Sequence, residues 1–399
     1  MRIGIDIRPL QNNNRFRGIG RYLENTLLNI DLDKNHTYTL FYEGSKKTVP
    51  DSIKKIFKSA RYIQVPPRKI NKVKYIRALV RPYSRIKPRR SDIDVLFQAD
   101  PWLGIPKNIP TVVAFHDIIP LLFKIDKESV KLRGIKKYKQ LFGEHTTDKF
   151  YSDMLKDYKN ADRIVAISEH SKRDFIKYVN PNINKDHIRV TLLSGDLNKT
   201  IHTKTHPEKT LAKYKVKKNM YILYVGGIDK RKNIKGLLTD FIELKKQYKN
   251  LKLVVVGKEF NIKRGLEEVG WTELLNKNKH VKDDIIIPGY VPDSDLANLY
   301  ENTIAFVFPS LYEGFGLPVL EAMEQKCPVI CYQNSSLTEV AGNAALLVEN
   351  GKPMVNAIDR LMNNPELRKQ LILKGLKQAK KFSWKRSAQK TMQSIEELG

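Results

Sequence analysis

The chain has 399 residues, 41% of them hydrophobic and 29% charged, and its 72 lysines and arginines against 43 aspartates and glutamates give a formal charge of +29. That composition supplies ample apolar material for two or three domains and excludes disorder as the dominant state. With Cys327 and Cys331 as the only cysteines it also excludes a disulfide scaffold.

Residues 1–7 read as a strand rather than a signal peptide, and no apolar run approaches the ~18 residues of a spanning helix. A soluble or peripheral intracellular protein is therefore expected. In chain order, Arg2–Ile7 alternates apolar residues, Gly20–Ile30 has helical spacing and Thr37–Tyr42 is strand-like. Asp94–Gln98, Thr111–Phe115 and Arg163–Ser168 are further apolar runs, with Ser168 placed to cap a following helix, and Ile188–Leu193 closes this half. Residues 196–218 are polar, contain His202, His206 and Pro207, and read as a linker.

The pattern then restarts. Strands are expected at Tyr221–Val225, Leu251–Val256, Ile285–Ile287, Ile304–Phe308, Val329–Cys331 and Ala345–Val348. Helices are expected at Asn233–Tyr248, Gly265–Asn276, Ser294–Glu301 and Pro318–Gln325, then over 353–380 and 384–397. Strands alternating with helices predict parallel α/β sheets joined by right-handed crossovers. The division expected is 1–200, 201–380 and a C-terminal helix in 381–399 that returns to the first domain. Two such domains leave a cleft, and ligands of such sheets bind beyond the carboxyl ends of strands.

The sharpest motif is Phe308-Pro-Ser-Leu-Tyr-Glu-Gly-Phe-Gly-Leu-Pro-Val-Leu-Glu-Ala-Met323, which runs from a strand end through a glycine-rich turn into a helix. Gly314 and Gly316 let the backbone approach a ligand, and free N–H groups at the helix start suit a phosphate or a sugar hydroxyl. Glu313 and Glu321 can address two parts of one polyol. The plainer alternative gives Glu321 to the helix dipole and Glu313 to a surface turn. Lys230-Arg-Lys232 follows a Gly-Gly turn after a strand, a suitable place for cations that stabilise a leaving diphosphate. A solvated basic loop is the alternative there.

These residues resemble the signature of the family-4 (group 1) retaining glycosyltransferases of GT-B fold, and the likeness runs along nearly the whole chain. Gly18-Ile-Gly-Arg-Tyr22 is similar to that family's glycine loop, and His116-Asp-Ile-Ile-Pro120 to the His-Asp segment of its mannosyltransferase-like branch. Ser168-Glu-His-Ser171 is similar to the junction that follows. Val225-Gly-Gly-Ile-Asp-Lys-Arg-Lys-Asn233 is similar to the diphosphate loop, and Gly289-Tyr-Val-Pro292 and Ser335-Ser-Leu-Thr-Glu-Val-Ala-Gly342 also fit.

The resemblance implies an α/β GT-B architecture of two Rossmann-like doubly wound domains facing across a cleft. It implies that Glu321 bonds the donor ribose, Glu313 the hydroxyls of the transferred sugar, and the amides near Phe315, Gly316 and Leu317 the sugar and phosphate. Lys232 with Arg231, beyond Gly226 and Gly227, would neutralise the diphosphate. The family often has arginine where this chain has Gly227, and Arg231 is expected to supply that charge. Tyr290 and Val291 would hold the base, and Gly18 and Gly20 would let donor or acceptor lie against the first domain. His116 would donate to a sugar hydroxyl or shape the acceptor side, oriented by Asp117; a structural histidine is the alternative. The reaction implied is retaining transfer of a hexosyl unit, mannosyl favoured, from a GDP- or UDP-sugar to a lipid-linked saccharide. A sugar-nucleotide epimerase or phosphorylase of the same fold, or a non-catalytic nucleotide-sugar-binding module, remain alternatives.

No metal or other cofactor is expected. Asp31-Leu-Asp33, Asp92-Ile-Asp94 and Asp293-Ser-Asp295 formally match a cation-binding Asp-x-Asp but read as a turn, a strand entry and a helix cap. His202 and His206 lack a third ligand, and the cysteines read as small packing residues. The charge is uneven: residues 1–200 hold 40 basic and 21 acidic side chains, whereas 251–350 hold 8 and 14. Residues 68–90 alone carry ten basic side chains and no acid, with Ile70, Val73, Ile76, Val80 and Tyr83 near helical spacing. This segment, with Lys124–Lys139 as a second, suits an anionic membrane surface; a solvated face is the alternative, and no nucleic-acid recognition module is evident. The location expected is cytoplasmic, peripheral at the inner face of the plasma membrane.

Overall fold

The structure, a computed structural model, describes residues 1–65 except 12–14, 16 and 17; 88–119 except 90 and 100–103; 155–197 except 156 and 196; and 206–399 except 262–265 and 268. The basic stretches at 68–87 and Lys124–Lys139, and His202, lie outside the described residues. The chain forms two compact units, one of residues 1–193 with 383–399 and one of residues 194–382.

The first unit runs β1 (Arg2–Asp6), α1 (Gly18–Leu28), β2 (Thr37–Glu43), α2 (Asp51–Ile56), β3 (Arg61–Val65), β4 (Val95–Gln98), β5 (Thr111–Phe115), β6 (Arg163–Ala166), α3 (Glu169–Asp174) and β7 (Ile188–Val190). All its strands pair in parallel, in the order β3-β2-β1-β4-β5-β6-β7. Central strands β4 and β5 are buried at every position, as a sheet covered on both faces requires, whereas edge strand β3 keeps Arg61 and Gln64 exposed. Phe41, Val65, Ile93, Leu96 and Ile109 pack together as one core cluster on this sheet. Ser168 does cap α3, accepting from the Ser171 N–H at 2.9 Å.

The second unit runs α4 (Pro207–Lys213), β8 (Tyr221–Val225), α5 (Ile234–Gln247), β9 (Lys252–Val256), α6 (Trp271–Lys277), β10 (Ile285–Gly289), α7 (Asp293–Asn302), β11 (Ala305–Phe308), α8 (Leu317–Glu324), β12 (Val329–Tyr332), α9 (Ser335–Ala341), β13 (Ala345–Val348), α10 (Val355–Asn363) and α11 (Pro365–Ala379). Its order is β10-β9-β8-β11-β12-β13, again all parallel. Both sheets thus reverse direction beside their first strand, the doubly wound topology. A last helix, α12 (Trp384–Glu396), belongs to the first unit, where its buried Trp384, Ala388, Thr391, Met392 and Ile395 make one face against α1 and β4–β7. Arg163 and Arg189 hold Glu397 at its end, at 2.9 and 2.7 Å.

Three readings change. The stretch 196–218 is not linker throughout: Pro207 starts a helix at its first turn, and Thr210, Lys213 and Tyr214 anchor that helix to Asp295. The helix expected over 353–380 is two, because Pro365 cannot continue one and Asn364 caps the next by accepting from the Leu367 N–H at 2.8 Å. Helix α6 begins only at Trp271, after Gly270 turns the chain at φ +73°.

Candidate functional site

The second sheet reverses between β8 and β11, and in doubly wound sheets ligands bind at the carboxyl ends of the strands at such a point. The loop after β8 carries residues 226–233 and that after β11 carries 309–316. The Leu311 N–H donates to the Arg231 carbonyl at 2.8 Å and ties them together. Lys230–Lys232 make one tight turn, ended by Asn233 in the left-handed region at φ +50°, whose amide donates to the Tyr332 hydroxyl at 3.1 Å.

Glu313 is the hub. Its Oε1 lies 2.5 Å from Lys232 Nζ, 2.7 Å from Arg231 Nη1 and 2.6 Å from the Ser310 hydroxyl that donates to it. Among the described residues all its side-chain partners lie on Oε1 rather than Oε2. The residue is 8% exposed. Burial alone would raise its carboxyl, but Lys232 and Arg231 beside it, with Ser310, outweigh that and hold it below the ordinary glutamate range. Glu313 is therefore an ionised carboxylate between two fixed cations, not the surface turn residue of the plainer alternative. Arg231 also bonds the Tyr312 carbonyl at 2.9 Å and pairs with Asp229 at 3.2 Å. The Lys232 ammonium lies 4.8 Å from the Phe308 ring centre.

The turn into α8 is fixed from α9. The Glu313 N–H donates to Ser335 Oγ at 2.9 Å, and the Ser336 hydroxyl reaches the carbonyls of Glu313 and Phe315 at 2.8 and 2.7 Å. Gly316 has φ +110°, and a Cβ there would meet Leu337 at 2.7 Å, so only glycine fits. With carbonyls tied back, the amides of Phe315, Gly316 and Leu317 stand at the helix start, where no carbonyl of the helix can accept them. Glu321 follows in α8 and is 4% exposed.

The loops after β8, β9 and β10 are laced edge to edge. The Gly226 N–H donates to the Val256 carbonyl and the Gly257 N–H to the Gly289 carbonyl, both at 3.0 Å. A Cβ at Gly257 would fall 2.1 Å from the Gly226 carbonyl, leaving no room for a side chain. The Tyr224 hydroxyl donates to Gly227 O at 2.7 Å, and Glu259 accepts from the Ile228 N–H at 3.3 Å. Beside them Tyr290 is 61% exposed, with the Lys258 ammonium 4.9 Å from its ring centre, while Val291 is buried.

Gly18, Gly20 and His116 belong to the first unit. Gly18 is exposed and a Cβ there would meet nothing within 4 Å, so the fold itself does not demand glycine, whereas Gly20 is buried. His116 follows β5, and its Nε2 lies 2.8 Å from the Ala99 carbonyl. Burial pushes its imidazole down to about 4, against the weaker opposing effect of the Ala99 bond, so the ring is neutral near pH 7. The Ala99 carbonyl holds this ring, and the Asp117 carboxylate accepts from the Ile119 N–H at 2.9 Å.

Four of the six Asp-x-Asp aspartates are engaged elsewhere. Asp94 pairs with Arg2 at 2.5 Å, Asp92 with Arg61 at 3.1 Å and Asp295 with Lys213 at 2.7 Å, and Asp33 closes a turn on the Asn35 N–H. Among the described residues no three His, Cys, Asp or Glu side chains gather to hold a metal ion. Cys327 and Cys331 are buried, and burial pushes the Cys331 thiol up to about 12. The sequence motifs assign no role to Ser310, Ser335 or Ser336. Their signal was faint: a serine after a strand end, and a serine pair opening a helix.

Two family models together cover most of the chain. The one described as Glycosyltransferase Family 4 matches residues 16–191, and the one described as Glycosyl transferases group 1 matches residues 207–378. An O-antigen chain mannosyltransferase B of Escherichia coli is 33% identical over 60% of this chain and 61% of its own length. A serotype-specific mannosyltransferase, WbdA, of Escherichia coli is 28% identical over 73% of this chain and 34% of its own length. The chain thus spans less than two thirds of these curated relatives. Among solved structures, the Anabaena HepE protein in complex with UDP and glucose superposes with a TM-score of 0.69 at 14% identity over 99% of both chains. WaaG, a glycosyltransferase involved in lipopolysaccharide biosynthesis, superposes with a TM-score of 0.62 at 16% identity over 99% of both chains. These likenesses show the fold.

Proposed function

The chain belongs to the family-4, group 1 glycosyltransferases and has their GT-B fold, and on that premise we propose that it transfers a hexosyl unit from a nucleotide-diphosphate sugar to a saccharide acceptor in polysaccharide synthesis. Mannose is the favoured sugar, because the curated relatives include mannosyltransferases. The observation that carries the reading is the Glu313–Lys232–Arg231 cluster at the point where the second sheet reverses.

In this reading the donor diphosphate lies against Lys232, Arg231 and the amides of residues 315–317. As the bond between the sugar C1 and the phosphate oxygen breaks, negative charge grows on the diphosphate. Fixed donors aimed at such charge contribute about 3–4 kcal/mol each. Glu313 keeps both cations in place through Oε1 and offers Oε2 to a sugar hydroxyl. Glu321 meets the ribose, Tyr290 and Val291 the base. A carboxylate stabilised by two cations is a weak nucleophile, so Glu313 does not attack C1. The acceptor hydroxyl instead approaches from the face the diphosphate leaves, bonds to C1 and gives its proton to a departing phosphate oxygen. The anomeric configuration is retained and no divalent cation is needed, so turnover should survive chelation by EDTA. The acceptor is lipid-linked, and the basic segment 68–90 meets an anionic membrane at the inner face of the plasma membrane.

Thermal-shift titration with GDP- and UDP-sugars tests the donor site, since a ligand of the native state stabilises it by mass action. One of these should raise the melting temperature, and Lys232→Ala and Glu321→Ala should each shrink the shift. Undiminished shifts in both variants would remove this map of the site.

A further inference from the structure

Among the described residues, two contacts within the first unit hold His116. One is the bond to Ala99: a carbonyl only accepts, so Nε2 carries the hydrogen and Nδ1 keeps its lone pair. The other is Tyr22 of α1, whose ring meets the imidazole edge to face, with centres 5.2 Å apart and planes at 85°. A single hydrogen bond fixes one atom of a ring; a perpendicular aromatic neighbour fixes its plane.

Tyr22 is itself backed on every side. It is 0% exposed, and its hydroxyl stands among Thr26 of the same helix, Thr191 just after β7 and Thr391 of α12. Thr391 is tied down by donating to the Ser387 carbonyl at 2.9 Å. These neighbours lie close, yet among the described residues no direct hydrogen bond satisfies the Tyr22 hydroxyl, Thr26 Oγ1 or Thr191 Oγ1. The ring, rather than a strong bond through its oxygen, is therefore what the surroundings hold.

We propose that Tyr22 is a positioning residue that locks the His116 ring with Nδ1 as a hydrogen-bond acceptor, so that His116 accepts a hydrogen bond from a hydroxyl of the bound sugar or acceptor instead of donating one. The C-terminal helix, by closing the pocket behind Tyr22, supports the same ring. The role rests on the reading that His116 meets substrate, and the test separates the two.

Ring ¹⁵N–¹H spectra, with His116 assigned by difference from His116→Gln, should show a single Nε2–H form in the wild type and a mixture of forms in Tyr22→Leu. Tyr22→Leu should lose about tenfold in kcat while the donor KM stays within about twofold, the pattern of an interaction that matters in the transition state. Tyr22→Phe, which keeps the ring, should match the wild type in both. A Tyr22→Leu protein with wild-type kcat, or with lost kcat and an unchanged ring spectrum, would overturn the proposal, as would a Tyr22→Phe protein as impaired as Tyr22→Leu. Should Tyr22→Leu not fold, a nuclear Overhauser contact between the Tyr22 and His116 rings in the wild type is still required, and its absence overturns the proposal. Full turnover by His116→Gln would also overturn the proposal, and would trace its failure to the premise that His116 meets substrate rather than to the Tyr22 contact.

Discussion

Glu313 joins two side chains that lie 81 and 82 positions earlier in the chain, Lys232 and Arg231, on one oxygen. The motif around Glu313 and the basic turn were each legible, because both are local patterns of glycine, proline and charge after a strand. Their convergence was not, since it depends on β8 and β11 becoming neighbours in the sheet. The three charged side chains are only 11–13% exposed, so deleting the carboxylate takes the shared anion from Lys232 and Arg231, of which Arg231 keeps Asp229. Glu313→Gln should cost roughly 3–5 kcal/mol of stability, read from urea unfolding midpoints, together with turnover. Because its folded carboxyl is held low, the stability Glu313 contributes is present above the ordinary glutamate range and is lost as pH falls through its folded value. His116 also stabilises less in acid, for another reason. Its unfolded form takes a proton from about pH 6.5 downward, while the folded ring waits until about 4. The pH–rate profile should accordingly show no histidine limb between pH 5 and 8; an inflection near 6.5 that His116→Gln abolishes would contradict the neutral ring.

Helices and strands were easier to read than their ends. The apolar runs of β4, β5, β8, β11 and β12 and the spacing of α5 follow from burial alone. The break at Pro365 is hard to see in the sequence because periodicity runs on either side of it, although proline at a first turn is itself a start signal. The start of α10 shows what no sequence pattern displays. Asp240, from α5, accepts the Met354 N–H at 2.9 Å in a buried setting. Burial raises its carboxyl to about 6, against the smaller opposing pull of that bond. A raised carboxyl favours folding while it keeps its proton, so this group's contribution falls as pH rises from about 4 to about 6. Asp240→Asn, which retains an acceptor for Met354, should flatten that part of the pH–stability curve in thermal melts. An unchanged curve would mean that Asp240 titrates as an exposed carboxylate.

At the scale of the whole molecule, alternation of strands and helices announced two α/β sheets, but not the order of strands within them. Local sequence carries periodicity, whereas strand order is chosen by long-range packing and crossover handedness. The order matters most, because it places the Glu313 cluster where the second sheet reverses. Among the described residues no helix is long and apolar enough to cross a membrane. The +29 charge, concentrated outside the acidic stretch 251–350, predicts binding to vesicles that contain anionic lipid and release as salt rises. Equal co-sedimentation with neutral vesicles would return the basic segments to the solvated reading.

Everything proposed for the site meets in the product of one turnover. Proton NMR of the anomeric signal, followed from the start of the reaction with an α-linked nucleotide-diphosphate hexose and a saccharide acceptor, tests it most directly. The account predicts a first product with the donor's α configuration, formed alongside free nucleoside diphosphate and lost in Lys232→Ala. A β-configured first product, or an undiminished signal from Lys232→Ala, would contradict it.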